Sequence, residues 1–444
     1  MLSFSKWLRQ RPRGFRHGTH PEAHKDTTSG LPIEHMPMVA EYSLHLAQHA
    51  GAPSRPCVGP GERVRRGQTI AEPDGFRSVA LHAPVAGTIR AIEPRLHPAG
   101  GLSPALILRT DFLADQSTMA ATVPEPGDRD GTLAAIQRAG VVGLGGAAYP
   151  AHAKMRIPKD KRVDVVILNG AECEPYLTAD HRVMLERAGA VVGGLTVIME
   201  LVGAERGTIG VEVNKPDAID ALSRACRGDP RMQVVPLSVK YPEGAKQMLI
   251  KAVTGQRVPL GGRSFDTHVT IHNVGTAAAL YDACTAGLPM IDRVVTVTGP
   301  EIVRPANVRV SIGTPVSALL EHCGGLRPAA RRLVMGGGMM GHSQVSLEVP
   351  TVKAFGGVLA LPGTAQRTPE APCIRCGKCL DACAMFLNPA RLATLSRAGD
   401  VEGLKQANVQ ACFECGSCAF VCPSYLPLTE LIRTGKVLAR RTGS

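Results

Sequence analysis

The sequence of 444 residues lacks a long apolar run. A helix that crosses a bilayer needs about 20 consecutive apolar residues, and the best candidate, residues 191–204, is shorter and carries Glu200. The basic stretch 1–18 also lacks the apolar core and the small-residue cleavage site of a signal peptide. We therefore predict a cytosolic chain without a membrane span of its own, with thiols kept reduced.

Aromatic residues are scarce too, at 4% with one Trp, whereas the chain has 48 Gly and 34 Pro. This composition predicts many tight turns and an aliphatic core. Apolar residues at 44% and charged residues at 20% exclude a wholly disordered chain, and the length predicts roughly two to four domains. The net charge of +12 fits an acidic protein, an anionic membrane or nucleic acid, and does not choose among them.

Thirteen cysteines in a reducing compartment need an explanation other than disulfides. Eight of them form two runs with the spacing Cys-x2-Cys-x2-Cys-x3-Cys: Cys373, Cys376, Cys379 and Cys383, then Cys412, Cys415, Cys418 and Cys422. Such gaps let one tight loop present three thiolates to a cubane cluster, and Gly377 and Gly416 stand at matching turn positions. The runs predict two [4Fe–4S] clusters. Zinc is the alternative, but its sites pair two CxxC units rather than using two runs of four.

The fourth cysteine of each run has two possible clusters to ligate. In two-cluster ferredoxins it ligates the cluster of the other run. On that pattern Cys422 completes the first cluster and Cys383 the second, but the spacing does not show whether this exchange occurs. The remaining cysteines have no spacing pattern and are expected to be buried free thiols: Cys57, Cys173, Cys226, Cys284 and Cys323.

The middle of the chain alternates between strand and helix patterns. Residues 163–168 form an apolar run typical of a buried strand, and further strands are expected at 207–213 and 232–239. Helices are expected at 180–203, 216–226 and 243–254. This alternation predicts a mostly parallel sheet covered by helices, with ligands at the carboxyl ends of its strands.

Two polar or glycine-rich segments flank the first of these strands. Residues 143–150 read GLGGAAYP and do not form a full GxGxxG motif. A phosphate or a flat ring fits such a loop, because Pro150 suits a first helical turn and Lys154 adds a cation; a plain turn is the alternative. The acidic segment NGAECEP follows the strand, and it is either a cofactor-binding loop or a solvated one.

These segments together resemble a known family. The strings GLGGAAYPAHAK, NGAECEPY and HNVGTAAAL, followed by the two cysteine runs, occur in this order in the C subunit of the Rnf electron-transport complex. The resemblance covers nearly the whole chain. The middle part is also similar to the flavin-carrying, NADH-oxidising subunit of respiratory complex I.

The resemblance implies bound FMN and an NADH site. It assigns a flavin and phosphate loop, an aromatic residue of the nucleotide pocket, an acidic loop that faces flavin and nicotinamide, and a second flavin contact: respectively Gly143, Gly145, Gly146 and Lys154; Tyr149; Asn169, Glu172 and Glu174; Asn273 and Thr276. No catalytic side chain is implied, because hydride passes directly between the two cofactor rings.

Two departures from the family pattern bear on the site. The family loop usually ends GAGFP, whereas this chain has Ala148 where the backbone approaches the flavin. The family also often places an acidic residue near Lys246, within the segment 241–250. That segment is therefore excluded from the predicted site.

The predicted architecture is multidomain α/β. We expect a basic tail at 1–30, with Arg9, Arg11, Arg13 and Arg16, and a lipoyl- or biotinyl-like β-sandwich at 31–115. The stretch 67–88 has no lysine, so the sandwich is expected to lack attachment chemistry. An α/β domain for FMN and NADH follows at 125–290, then a small β-grasp domain at 291–360. A linker and a helical two-cluster ferredoxin-like domain complete the chain at 361–444.

These parts predict an electron-transfer function. NADH gives two electrons as a hydride, a [4Fe–4S] cluster accepts one, and a flavin does both. We predict the NADH-binding subunit of a membrane-bound, ion-translocating Rnf-type oxidoreductase on the cytoplasmic face of the inner membrane. Expected partners are an iron–sulfur subunit and integral membrane subunits, with ferredoxin or flavodoxin as an indirect partner and no nucleic acid. The alternatives are an electron relay without a nucleotide site and a soluble diaphorase subunit of a hydrogenase or formate dehydrogenase.

Overall fold

The computed structural model describes residues 11–363 and 369–441. Its N-terminal β-sandwich consists of a four-stranded sheet, in the order β2-β8-β7-β4, and a three-stranded sheet, in the order β3-β5-β6. The early strands are β1 (Ile33–His35), β2 (Glu41–His45), β3 (Arg55–Pro56), β4 (Arg63–Val64), β5 (Thr69–Glu72), β6 (Leu81–His82), β7 (Gly87–Leu96) and β8 (Leu102–Thr110). Apolar residues alternate into the space between the sheets, where Ile70, Ile89 and Leu106 are fully buried.

The central domain has a four-stranded parallel sheet in the order β11-β10-β9-β12. Its elements are α1 (Arg129–Arg138), α2 (Ala151–Met155), β9 (Val165–Gly170), α3 (Ala179–Glu186), α4 (Ala188–Val202), β10 (Arg206–Glu212), α5 (Pro216–Ala225), β11 (Met232–Leu237), α6 (Lys246–Thr254), β12 (Val269–Asn273) and α7 (Val274–Ala286). The α/β alternation predicted from the sequence is confirmed. The helix expected over 180–203 is two helices, because the backbone leaves the helical conformation at Arg187.

Close packing of α4 against α7 fixes the position of the loops that follow β9 and β12. A Cβ atom at Gly194 would lie 1.9 Å from the carbonyl oxygen of Ala277, so only glycine permits this approach. The two helices are therefore held tightly on one face of the sheet.

The third domain is built on a six-stranded mixed sheet in the order β1-β14-β13-β17-β15-β16. Its later elements are β13 (Asp292–Thr298), β14 (Ala306–Ser311), α8 (Val316–His322), β15 (Ala330–Met335), β16 (His342–Gln344) and β17 (Gly357–Pro362). The edge strand β1 comes from the start of the chain and pairs in parallel with β14. A boundary drawn along the sequence cannot express this exchange.

The N-terminal segment lies along the central domain. The amide of Arg13 donates to the Pro236 carbonyl at 3.0 Å, and Thr19 exchanges two backbone hydrogen bonds with Tyr241, at 2.8 and 2.9 Å. Arg11, Arg13 and Arg16 are exposed residues, and Arg9 lies outside the described residues. The basic segment is thus fixed through its backbone while its arginines remain accessible to solvent.

The C-terminal domain is helical, with α9 (Lys378–Ala382), α10 (Pro389–Ala398), α11 (Val401–Gln406), α12 (Ser417–Phe420) and α13 (Leu428–Arg441). The amphipathic helix α13 packs Leu428 and Ile432, each 1% exposed, against α10 and α11. Among the described residues, no helix combines the length and apolar character needed to cross a bilayer.

Candidate flavin pocket and cluster sites

The glycine-rich loop joins α1 to α2 and is closed by internal hydrogen bonds. The amide of Gly143 donates to the Tyr149 carbonyl at 2.9 Å, and the amide of Leu144 donates to Oγ1 of Thr276 at 2.8 Å. Gly146 has a φ of +97°, and a Cβ atom built there would meet nothing within 4 Å. The outer side of the loop is therefore open, with space for a flat ring beside an exposed backbone.

Ala148 is the departure expected to crowd this loop. Its φ is +45°, a conformation that costs about 1–2 kcal/mol for a residue with a Cβ atom. Its side chain is only 5% exposed and belongs to the hydrophobic core, and its carbonyl accepts from Ala50 of the sandwich at 3.0 Å. Ala148 thus strains the backbone while its methyl group packs inward, and the open side of the loop is kept.

Two lysines without a carboxylate partner lie beside the loop. Burial lowers the pKa of Lys154 to about 8, and the nearby charge of Lys246 lowers it further. Burial likewise lowers the pKa of Lys246, and so does Arg263. His272 also lies near Lys154, and burial holds its pKa well below the usual value. Within the described ranges neither lysine forms an ion pair, and unneutralised cations beside an open glycine loop fit a phosphate dianion such as that of FMN.

The acidic segment after β9 is held in place by its own polar atoms. Asn169 accepts from the Ala171 amide at 3.1 Å and donates to the Gly244 carbonyl at 2.9 Å. Glu172, which is 8% exposed, accepts from the amides of Asp180 and His181 at 2.8 and 3.3 Å. Glu172 therefore binds the free amides at the start of α3.

Asp180 is a buried acid that the sequence analysis does not identify. Burial raises its pKa to about 7, and the carboxylate of Glu172 adds to the shift. Asn273 donates to it at 2.6 Å, and the Oδ1 atom of Asn273 accepts from Gly275 and Thr276 at the start of α7. An acid one residue into a predicted helix, eight residues after Glu172, was the available signal.

Glu174 and Tyr149 lie apart from these capping contacts. Glu174 turns toward the third domain, where its carboxylate accepts from the Met339 amide at 2.8 Å and lies 3.4 Å from the hydroxyl of Tyr241. Burial raises its pKa. Tyr149 is half-buried at the end of the glycine loop. The predicted residues thus divide into an open loop with cations, a set of capping side chains, and one carboxylate at a domain junction.

The eight cysteines of the two runs lie in one helical module and in two neighbourhoods. Burial raises the pKa of Cys379, and the thiols of Cys373 and Cys422 add to the shift. Burial also raises the pKa of Cys418 to about 12, with contributions from Cys415, Cys412 and Cys383. The fourth cysteine of each run therefore lies near the first three cysteines of the other run.

The turns within the runs have the expected geometry. Gly377 and Gly416 have φ values of +78° and +81° and begin the helices α9 and α12. Cys373 and Cys376 are exposed, whereas the other six cysteines of the runs are half-buried. No three Cys, His, Asp or Glu side chains in the described part of the chain are grouped so as to hold a single metal ion.

The five other cysteines are only partly as expected. Cys226, Cys284 and Cys323 are buried, but Cys57 is exposed and Cys173 is half-buried. Cys57 lies just after the two-residue edge strand β3, which covers little of the chain beside it. The sulfur of Cys173 accepts from the Gly244 amide at 3.3 Å, so this thiol has a polar role within the segment that follows β9.

The second run contacts the rest of the protein directly. The hydroxyl of Tyr241 donates to the Cys415 carbonyl at 2.7 Å. A Cβ atom at Gly416 would lie 3.2 Å from the Met339 carbonyl oxygen. The segment 241–250, excluded from the predicted site, therefore contributes both Lys246 near the glycine loop and Tyr241 at a cysteine run.

Four family models match successive parts of the chain. Residues 13–112 match the RnfC barrel sandwich hybrid domain, and residues 136–282 match the Nuo51 FMN-binding domain. Residues 294–342 match the SLBB domain, and residues 372–427 match the 4Fe-4S dicluster domain. These matches confirm the predicted fold class and the predicted cofactors, FMN and two [4Fe–4S] clusters.

A solved structure shares the fold over much of the chain. It is described as an NAD+-reducing [NiFe]-hydrogenase in the air-oxidized state, with a TM-score of 0.51 and 18% identity. The match covers 72% of this chain and 64% of that chain. At this identity the match supports the fold alone.

Three curated relatives are similar over most of their length. The C subunit of the proton-translocating ferredoxin:NAD(+) oxidoreductase complex of Clostridium ljungdahlii is 41% identical over 87% of this chain and 85% of its own. The C subunit of the Na(+)-translocating complex of Acetobacterium woodii is 41% identical, over 86% and 87%. The C subunit of the ion-translocating oxidoreductase complex of Rhodobacter capsulatus is 40% identical, over 95% and 82%. The chain therefore belongs to the family of C subunits of Rnf-type ion-translocating oxidoreductase complexes.

Proposed function

We propose that this chain binds NADH and passes electrons between NADH and ferredoxin through FMN and two [4Fe–4S] clusters, as the C subunit of an ion-translocating complex. The observation that carries the proposal is the second cysteine run, which is hydrogen-bonded to the same domain that contains the open glycine loop. The names of the relatives support the reaction. In this proposal the protein is peripheral on the cytoplasmic face of the membrane, beside an iron–sulfur subunit and integral membrane subunits.

The protein's part in the reaction is binding and orientation. When bound, FMN supplies both two-electron exchange with nicotinamide and one-electron exchange with clusters. Lys154 and Lys246 hold its phosphate, and Gly143, Gly145 and Gly146 leave its ring room. Asn169, Glu172, Asn273 and Thr276 act by fixing the loops around the pocket. Tyr149 lines the nucleotide side of the pocket.

We further propose that the two cysteine runs exchange their fourth ligands. The first cluster takes Cys373, Cys376, Cys379 and Cys422, and the second takes Cys412, Cys415, Cys418 and Cys383. The proximity of Cys422 to Cys379 and of Cys383 to Cys418 supports this exchange. The domain boundaries drawn from the sequence, near residues 31, 125, 291 and 361, remain part of the proposal.

Anaerobic purification followed by reconstitution with iron, sulfide and FMN tests the function. We expect about eight iron atoms and about one FMN per chain, and reduction of ferricyanide by NADH. Activity that persists unchanged in the flavin-free protein would contradict the proposal. A chain that binds eight irons but no FMN would be the electron relay considered above.

A further inference from the structure

The hydroxyl of Tyr241 lies where three domains meet. Tyr241 follows β11 of the central domain, Met339 belongs to the loop after β15 of the third domain, and Cys415 belongs to the second cysteine run. We propose that Tyr241 is a positioning residue for the second cluster: its hydroxyl holds Cys415 against the central domain and raises the reduction potential of the cluster that Cys415 ligates. This inference rests on the proposed function, because it takes Cys415 as a cluster ligand.

The ring of Tyr241 is held firmly on the protein side of this contact. The residue is 2% exposed, and its backbone exchanges two hydrogen bonds with Thr19 in the N-terminal segment. The phenol is therefore fixed by burial and by its backbone before it reaches the cysteine run. A side chain fixed in this way gives up little conformational entropy when it forms one more hydrogen bond.

The single proton of the hydroxyl has two candidate acceptors at different distances. The Cys415 carbonyl lies at 2.7 Å, which is a short hydrogen bond, whereas the Glu174 carboxylate lies at 3.4 Å. The other oxygen of Glu174 accepts from the Met339 amide at 2.8 Å. Tyr241 thus donates to Cys415, while Glu174 ties the loop after β15 to the same junction.

The loop after β15 leaves no room for this junction to shift. A Cβ atom at Gly337 would lie 2.2 Å from Glu174, and one at Gly416 would lie 3.2 Å from the Met339 carbonyl oxygen. Because interiors this tight cannot relax around a displaced group, the second run keeps one position relative to the central domain. The first run forms no corresponding contact among the described residues.

The direction of the effect on the potential follows from the hydrogen-bond dipole. The positive end of the Tyr241 O–H bond points toward the peptide of Cys415. Positive charge close to a cluster stabilises its reduced form, which carries one more electron, and so raises its potential. Removing the hydroxyl makes the potential more negative.

The test is an EPR-monitored redox titration of the reconstituted full chain, comparing the parent protein with Tyr241→Phe. Phe keeps the buried ring and removes only the hydroxyl. We expect the potential of one cluster to become more negative and that of the other to stay unchanged. Cys373→Ser, which perturbs the first cluster, identifies which signal belongs to the second. Tyr42→Phe is the matched control, because Tyr42 is equally buried, at 1% exposure, and its hydroxyl bonds a remote backbone amide.

Iron and FMN content separate the possible failures. If iron or FMN is missing from the parent protein, the proposed function fails. If both are complete and Tyr241→Phe leaves both potentials unchanged, or shifts the first cluster instead, the role of Tyr241 is overturned. Glu174→Gln provides a second variant in case Tyr241→Phe does not fold, since loosening the Met339 contact at the same junction should also shift the second cluster alone.

Discussion

The two cysteine runs have the same spacing and the same backbone turns but different surroundings. Arg375 and Glu414 occupy equivalent positions with φ values of +56° and +61°, and Phe386 and Tyr425 do so with +57° and +51°. Arg375 is exposed, whereas Glu414 accepts from Lys436 at 2.5 Å and from Arg433 at 2.7 Å. Local sequence therefore sets the shape of each ligand loop, and the domain packing decides which loop faces the flavin domain and which faces outward.

Loss of one cluster should break the symmetry between the runs most strongly. Cys415→Ser and Cys376→Ser should each lower the iron content by about four atoms per chain, because each removes a ligand of one cubane. NADH should still reduce the remaining cluster in Cys376→Ser but not in Cys415→Ser, since the second run is the one bonded to the flavin domain. EPR spectra of the NADH-reduced proteins measure this. Equal reduction of the remaining cluster in both variants would remove the functional difference between the runs.

Loss of the phosphate cation should silence both runs together. Lys154→Gln is expected to weaken FMN binding by about 10–100-fold, the effect of one hydrogen bond to a charged group. Flavin fluorescence quenching gives the affinity. Riboflavin, which has no phosphate, should bind the parent and the variant alike, and Lys159→Gln at an exposed lysine is the matched control. Equal weakening for FMN and riboflavin would mean that Lys154 supports the fold and does not bind the phosphate.

The ion pairs around the second run predict a difference in stability. Lys436 is 9% exposed and also donates to the Cys412 carbonyl at 2.7 Å. Lys436→Met should lower the free energy of unfolding by about 1–3 kcal/mol, because it leaves buried acceptors unpaired. The matching change at the exposed Lys378 of the first run should have an effect within about 0.5 kcal/mol. Thermal unfolding of the reconstituted proteins compares them, and equal losses would show that the runs are equally dependent on such contacts.

The smallest expected effect concerns a buried lysine without an acidic partner. Lys353 donates to the Gly140 carbonyl at 2.7 Å, and burial lowers its pKa to about 7. Between that pH and its unfolded value of 10.5 the unfolded chain binds more protons, so stability should rise with pH in this window. Lys353→Met should flatten this rise, whereas Lys436→Met should not. Urea unfolding at several pH values measures the slope, and an unchanged slope in Lys353→Met would contradict the assignment.

The cluster loops are predictable because their information is local. The spacing of the cysteines and the glycines at 377 and 416 determine the turns within a few residues. The parallel sheet follows from the alternation of apolar runs. The division of the helix at Arg187 escapes prediction, because no Pro or Gly signals it.

The roles within the pocket are less predictable. Glu172 and Asn273 are expected as cofactor contacts from the sequence, yet their side chains cap helices. Spacing identifies a polar residue but not the atom that it bonds. Tyr241 lies in the segment excluded from the predicted site, and its bond to Cys415 spans 174 residues. Such contacts arise from the packing of separate domains, which no local pattern encodes.

The strand β1 has a consequence for how the chain is made. Its partner strand begins about 270 residues later, so at about 5–20 residues per second the ribosome needs roughly 15–55 s to deliver it. During that interval the strand has no edge to join, while the sandwich that follows it can already fold. The first strand to leave the ribosome is therefore among the last to find its place.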